Sequence, residues 1–344
     1  MGELMKYQAG EIYFVREHDR DRNLTQFVKI GLVKSPRTSE DRLIEHQTGN
    51  PRRLVIPEGH IVFTEAVSLV EAQLHRRFAT DRIGGEWFTF ADPKKLEAAI
   101  AAANALAAEV GQATPLLLEA DALESQASNG IMIPASEFAL EQVRILASAK
   151  EQEKATKALN SDIKGLLTKV ARAGGDLGTA ATIQSKTFKA KFDEATFLKD
   201  YPDVAQQFFV DKAGWSQRFD IKYKLPKDFA LEEDFSAQLD EIRDLLPQGK
   251  TKLSAIDLEE PLLRLTQLEA IIDWDQTLSK AMLKIECGVN EGIDGVCTWK
   301  REATSKSSFD SNKLFEADYD LYAQYVLDET TKQYVIPSKG SKRK

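Results

Sequence analysis

The stretch Val67–Phe88 reads V-S-L-V-E-A-Q-L-H-R-R-F-A-T-D-R-I-G-G-E-W-F. Val67, Val70, Leu74 and Phe78 recur at helical spacing, which predicts a helix with one apolar stripe to bury. Glu71 and His75 stand four apart beside that stripe, so a carboxylate and an imidazole are neighbours on the helix surface. An oxygen and a nitrogen placed in this way suit a divalent cation or acid–base work, and they also arise on any solvated helix face. Gly84-Gly85 then breaks the chain ahead of Glu86-Trp87-Phe88. The choice between these readings rests on residues further upstream.

Two β-rich runs, Gly10–Val15 and Gln26–Gly31, flank the charged, turn-forming segment Glu17–Asn23 and read as adjacent antiparallel strands. With Ile12, Phe14, Val28 and Ile30 on the buried face, the two-residue period sends Tyr13 and Lys29 together to the other, open face. Thr38 and Asp41 fit a capping box at the start of a helix that Gly49 would stop. Within it Arg42 and His46 are again four apart and share a face. Arg carries a planar fork of donors matched to two phosphate oxygens. Arg52 and Arg53 follow, and then a third strand, Ile61-Val62-Phe63, leads into the Glu71 helix.

At 344 residues, with 42% hydrophobic and 29% charged residues, the chain suits a soluble protein of two or three domains. No run of about 18 uncharged apolar residues occurs, and Ala98–Val110 is too short to span a bilayer, so no membrane partner is expected. Met1–Tyr13 has no apolar secretory core, and Cys287 and Cys297 are too few for a disulfide framework or a zinc site. A reducing cytoplasm is the expected setting. A net charge of -8 argues against a whole-chain electrostatic grip on nucleic acid, so any such grip must be local. The first 93 residues are nearly neutral, and the remainder carries the excess acid up to a basic end, Lys339–Lys344, that reads as a solvated terminus.

Gly10-x-Ile12-Tyr13, Lys29-Ile30-Gly31, Arg42-Leu43-x-x-His46 and the helical Glu71, in that order, resemble the GIY-YIG nuclease superfamily. The wording V-K-I-G, T-G-N-P, V-E-A-Q-L-H-R-R-F and E-W-F is similar to its phage-encoded DNA-binding branch, also known from a meiotically up-regulated type. The resemblance covers residues 8–92 and implies an α+β domain over residues 1–93, an antiparallel three-stranded sheet with flanking helices. It further implies a divalent-metal-dependent endonuclease that hydrolyses phosphodiester bonds. Glu71 would hold one Mg²⁺ or Mn²⁺, Arg42 would clamp a phosphate oxygen, and Tyr13 or His46 would manage the proton. His75 and Gly31 would support them, while Arg52, Arg53, Arg76 and Arg77 would contact DNA phosphates. Lys29 departs from the superfamily, which usually has tyrosine there. It would act by charge, lowering the Tyr13 pKa, or mark a domain that binds DNA without cutting it.

Residues 94–135 are alanine-rich and read as a helical linker, followed by a helix from about Ser136 to Ala173. An internal repeat then places Phe192-Asp193, Phe197, Asp203-Val204 and Gln207-Phe208 against Phe309-Asp310, Leu314, Asp320-Leu321 and Gln324-Tyr325 at constant offset. The copies, within residues 136–224 and 225–344, each read as helix, strand, Phe-Asp strand, helix, strand, and pseudo-twofold packing within the monomer is expected. The second copy, from Thr298-Trp299-Lys300 to Tyr325, resembles the tail of YqaJ-type phage recombination exonucleases, with none of that family's carboxylates. Residues 136–344 are therefore read as a surface for DNA or protein partners, and a protein-interaction scaffold is the third functional class.

Overall fold

The computed structural model describes residues 7–48, 50–178, 180–247 and 254–337, so Gly49 and the Lys339–Lys344 tail lie outside the described residues. The fold is α+β. Strands β1 (Gly10–His18) and β2 (Leu24–Lys34) pair antiparallel, with Tyr13 opposite Gly31 and Val15 opposite Lys29. Helix α1 (Ser39–Gln47) begins with the expected capping box, in which Thr38 and Asp41 satisfy each other's backbone N–H. Short strands β3 (Leu54–Val55) and β4 (Ile61–Thr64) both pair with β1, and helix α2 (Val67–Arg77) follows. Strands β5 (Arg82–Gly84) and β6 (Trp87–Thr89) extend the sheet beyond β2, so the three expected strands sit in a sheet of six.

Both faces of this sheet are covered. Ile12, Phe14, Val28 and Ile30 pack with α2 and with the first half of α3 (Pro93–Leu123). On the other face Tyr13, Val15 and Val33 pack with Leu54 and with Leu43 of α1. The open surface expected for Tyr13 and Lys29 is therefore a second small core: Tyr13 is 1% exposed and Lys29 8%. Alternation along a strand separates two faces, but only the path of α1 decides that the second is roofed.

The alanine-rich segment expected to link domains is instead part of the first core. Leu96, Ala99, Ala102, Ala103 and Val110 of α3 are buried against α2 and the sheet, where small side chains permit close helix approach. The chain continues through β7 (Met132–Ile133) and α4 (Glu137–Arg172), whose N-cap is Ser136. Next come β8 (Ala181–Phe188), β9 (Lys191–Phe192), α5 (Glu194–Asp200), α6 (Pro202–Ala205), β10 (Phe209–Ile221) and α7 (Glu233–Asp244). After α8 (Glu259–Cys287) and β11 (Gly292–Ile293) the pattern repeats as β12 (Cys297–Phe309), α9 (Ser311–Ala317), α10 (Tyr319–Ala323), β13 (Val326–Leu327) and β14 (Thr330–Pro337). A further core forms where Ile163 and Leu167 of α4 meet Leu239 of α7 and Leu265 of α8. Cys287 and Cys297 are buried and free. Among the described residues no helix is long and apolar enough to cross a membrane.

The two copies of the repeat pair reciprocally. The first strand of one copy, β8, pairs with the last strand of the other, β14, and β10 pairs with β12 in the same way. Asp193 donates its N–H to the Tyr325 carbonyl at 2.7 Å, and the equivalent Asp310 donates to Phe208 at 2.9 Å, so the two copies obey a pseudo-twofold axis. At the centre Phe192 stacks on Phe309, 5.7 Å between rings, while Phe197 and its counterpart Leu314 are fully buried. Trp299 of the second copy is fully buried with α4 and α8, and Tyr322 is half-buried in this aromatic cluster. Phe197→Ala is expected to cost about 3–5 kcal/mol at this cluster. Hydrogen exchange should then speed up in α5, α6, α9 and α10 and remain slow in β1 and β2. Unchanged protection in both copies would contradict a shared core.

Candidate active site

Tyr13 is placed by strand pairing. Its ring lies flat across Gly31 on the neighbouring strand, where an added Cβ would stand 2.6 Å from the phenol oxygen. Above it, α1 presents Arg42 and His46 on consecutive turns, and both reach the phenol. Tyr13 Oη lies 3.2 Å from His46 Nε2 and also accepts a hydrogen bond from Arg42. Burial, followed by the nearby Lys29 and Arg42 cations, pushes His46 down to about 4, so the imidazole is neutral at pH 7. Neutral Nε2 can then take the Tyr13 O–H while Arg42 donates to the phenol oxygen.

The Tyr13 pKa, expected to be lowered by Lys29, is instead raised. Burial first, and then the negative Glu86, pushes the Tyr13 phenol above its ordinary range, and Lys29 is engaged elsewhere, paired with Glu86. Burial alone would raise Glu86, but the charge and hydrogen bond of Lys29 hold it below the usual carboxylate range. Glu71 has no such partner at Oε1, which is buried and without a hydrogen bond among the described residues. Burial, and then Glu86, pushes its carboxyl well above the usual range against the pull of Lys29 and Arg82. Glu71 also acts on the Tyr13 phenol through its charge. Tyr13, Lys29, Arg42, His46 and Glu71, scattered over β1, β2, α1 and α2, thus share one electrostatic neighbourhood.

His75 is not free to bind a metal. Its Nε2–H donates to the Ile30 carbonyl at 2.9 Å, and its Nδ1 accepts from Gln267 of α8 at 2.5 Å. Burial, and then Arg82, pushes it down to about 4. Gln267 also accepts from Arg82 at 3.3 Å, while Arg82 donates to the Gly85 carbonyl at 2.6 Å. Glu260, likewise on α8, accepts the Gly85 N–H at 3.1 Å. Glu86, Arg82, Glu260 and Gln267 were missed from sequence. Glu86 and Arg82 stood inside the opening stretch, whereas nothing in the local pattern pointed to α8.

The four arginines read as DNA contacts do not form one patch. Arg52, beside α1 and β3, is paired with Glu17, and Arg53 is exposed next to it. Arg76 and Arg77 are exposed at the end of α2, which packs on the opposite face of the sheet from α1.

The order of strands and helices from Gly10 into α3, with this constellation upon it, has a counterpart among known families. Residues 10–105 match the family model of the T5orf172 domain. The match fits a phage-type domain of the nuclease or DNA-binding kind. The T5orf172 domain takes up a little over a quarter of the chain, from β1 to the middle of α3. No curated protein and no solved structure matches the chain.

The T5orf172 domain fits a single hard cation only sparingly. The orphaned Oε1 of Glu71 is an oxygen donor of the right chemistry, and Mg²⁺ tolerates one carboxylate with several waters. Among the described residues no cluster of three or more His, Cys, Asp or Glu forms a metal cage.

His46 and His75 give the domain an acid-sensitive window. Their folded values, about 4, lie below the ordinary 6.5, so the unfolded chain binds more protons between these values. Stability is full above about pH 6.5 and is lost as pH falls towards 4, with fully buried His75 contributing on the order of 3 kcal/mol and half-exposed His46 less. Gln267→Ala frees Nδ1 of His75 and is expected to raise the His75 pKa by about one unit in an NMR titration. An unmoved titration would show that α8 does not hold the ring.

Proposed function

We propose that the T5orf172 domain is a divalent-metal-dependent endonuclease acting on DNA. The observation that carries this reading is the Tyr13 phenol held between the Arg42 guanidinium and a neutral His46 Nε2, within the field of the unpaired Glu71. Tyr13 would take a proton from the attacking water and pass its own to His46, which is unprotonated at working pH. Arg42 would offer its donors to a non-bridging phosphate oxygen as negative charge builds there. Glu71 would hold Mg²⁺ or Mn²⁺ alongside waters and phosphate oxygens. When bound, the ion supplies Lewis-acid stabilisation at the scissile phosphate. Lys29 would serve by keeping Glu86 ionised and out of competition with Glu71.

A second reading, a module that binds DNA and does not cut, draws on a different observation. Tyr13 and Glu71 are 1% and 6% exposed, so neither lies open to a phosphate from solvent. Supercoiled plasmid incubated with the protein and Mg²⁺ or Mn²⁺ separates the two. Nicking by wild type that vanishes in Glu71→Ala supports the nuclease. Nicking that persists equally in the variant discredits Glu71 as the ion's ligand. Salt-sensitive retention of uncut plasmid supports the binding module.

A further inference from the structure

The two β-ribbons that join the repeat copies carry a charge pattern that stability does not explain. β8 and β14 form a sheet of their own, paired from Ala181 opposite Pro337 to Phe188 opposite Thr330, and almost every residue in it is exposed. Lys186 lies directly opposite Lys332. In the other ribbon, β10 with β12, Lys212 lies directly opposite Lys306. Like charges facing each other across a ladder are destabilising. All four lysines are exposed, and none has a carboxylate partner among the described residues of a chain with net charge -8. Lys186 and Lys332 instead share one aromatic ring, their Nζ atoms 5.2 and 5.9 Å from the centre of Phe188.

The duplication supplies an internal comparison. Carried over by the repeat offset, Lys332 and Gln184 correspond to Trp215 and Arg301 of the β10–β12 ribbon. There Trp215 donates to the Glu124 carbonyl at 3.0 Å, and Arg301 is fully buried with its guanidinium 3.6 Å from the Trp299 ring centre. The β10–β12 ribbon uses that face for packing, and the β8–β14 ribbon leaves it open, cationic and free of acid. Beyond Pro337 the sequence adds Lys339, Lys342, Arg343 and Lys344.

From this placement we infer that the two ribbons are a second DNA-contacting surface, in which the pairs Lys186–Lys332 and Lys212–Lys306 receive the phosphates of a duplex. A two-stranded ribbon matches the width of the major groove, so the strands can lie along the groove while the lysines reach its phosphate walls. The inference stands apart from phosphodiester chemistry in the T5orf172 domain and extends the DNA-acting reading to the remainder of the chain.

The test measures binding of a short fluorescent duplex to the full chain by anisotropy over a salt series. One variant replaces Lys186, Lys332, Lys212 and Lys306 by Gln, and a second replaces Arg52, Arg53, Arg76 and Arg77 by Gln. The ribbon variant is expected to bind at least about tenfold more weakly, with its log–log salt slope flattened by roughly 3 to 4. Its melting temperature should stay level or rise, because two repulsive pairs are gone. Unchanged affinity and slope in the ribbon variant, with loss in the arginine variant, overturns this surface and leaves the T5orf172 contact intact. The opposite pattern upholds the ribbons and removes the four arginines as the DNA contact. Wild-type protein that ignores the duplex at low salt overturns the assignment, and an acidic protein surface becomes the partner to seek.

Discussion

Gly31→Ala is expected to destabilise the T5orf172 domain by roughly 3 kcal/mol and to dislodge Tyr13. The new Cβ would stand 2.6 Å from the Tyr13 phenol oxygen and 2.7 Å from two ring carbons, and no real Cβ approaches so closely. The ring has little room to yield, since Leu43, Leu54 and Trp87 pack around it and Tyr13 is 1% exposed. Overpacking of this kind costs about 1–3 kcal/mol, and each lost hydrogen bond to His46 or Arg42 about 1 more. A denaturant melt reads the stability, and an NMR titration of His46 reads the site. With the phenol displaced and α1 loosened, His46 should climb from about 4 towards its ordinary 6.5. An Ala variant with wild-type stability and an unmoved His46 would refute the close packing of ring on glycine. The first motif glycine has a similar reason: a Cβ on Gly10 would stand 2.0 Å from the Val33 carbonyl oxygen.

Glu71→Gln should separate stability from activity. The wild-type carboxyl has a folded pKa well above its ordinary 4.5, so its contribution is fully present below about pH 4.5 and is lost as pH rises towards the folded value. Glutamine keeps the shape without the charge and escapes that loss. The variant is therefore expected to be more stable than wild type by about 1–3 kcal/mol near neutral pH without metal, with the gap shrinking to nothing below pH 4.5. Added Mg²⁺ or Mn²⁺ should raise the wild-type melting temperature by mass action and leave the variant where it is. Nicking, where wild type nicks, should fall at least roughly a hundredfold. A variant less stable than wild type at pH 8 without metal would mean that Lys29 and Arg82 already balance the Glu71 charge, removing the case for an ion.

Much of the N-terminal fold was legible because its signals are local. The alternation Ile12-Tyr13-Phe14 separates two strand faces, Thr38 and Asp41 cap a helix, and Val67, Val70 and Leu74 build its partner's stripe. The four-residue spacing of Arg42 and His46 gave their shared face, and both do meet Tyr13. The repeat was equally plain, since equivalent residues recur at one offset whatever the fold. Helix periodicity also marked α3, but its alanines gave no hint that they would be buried against α2 rather than exposed between domains.

The sequence by itself determined which side chains share a strand face, a helix turn or a repeat position, because these relations are set by the 2.0 and 3.6 residue periods within single elements. Only the tertiary structure decided that α1 roofs Tyr13, that Lys29 meets Glu86 57 residues on, and that Gln267 holds His75 from 192 residues away. It also decided that lysines from different repeat copies face each other across two ribbons. Such contacts depend on strand register and helix packing, which the whole chain settles together by burying its apolar faces, and no local spacing encodes them.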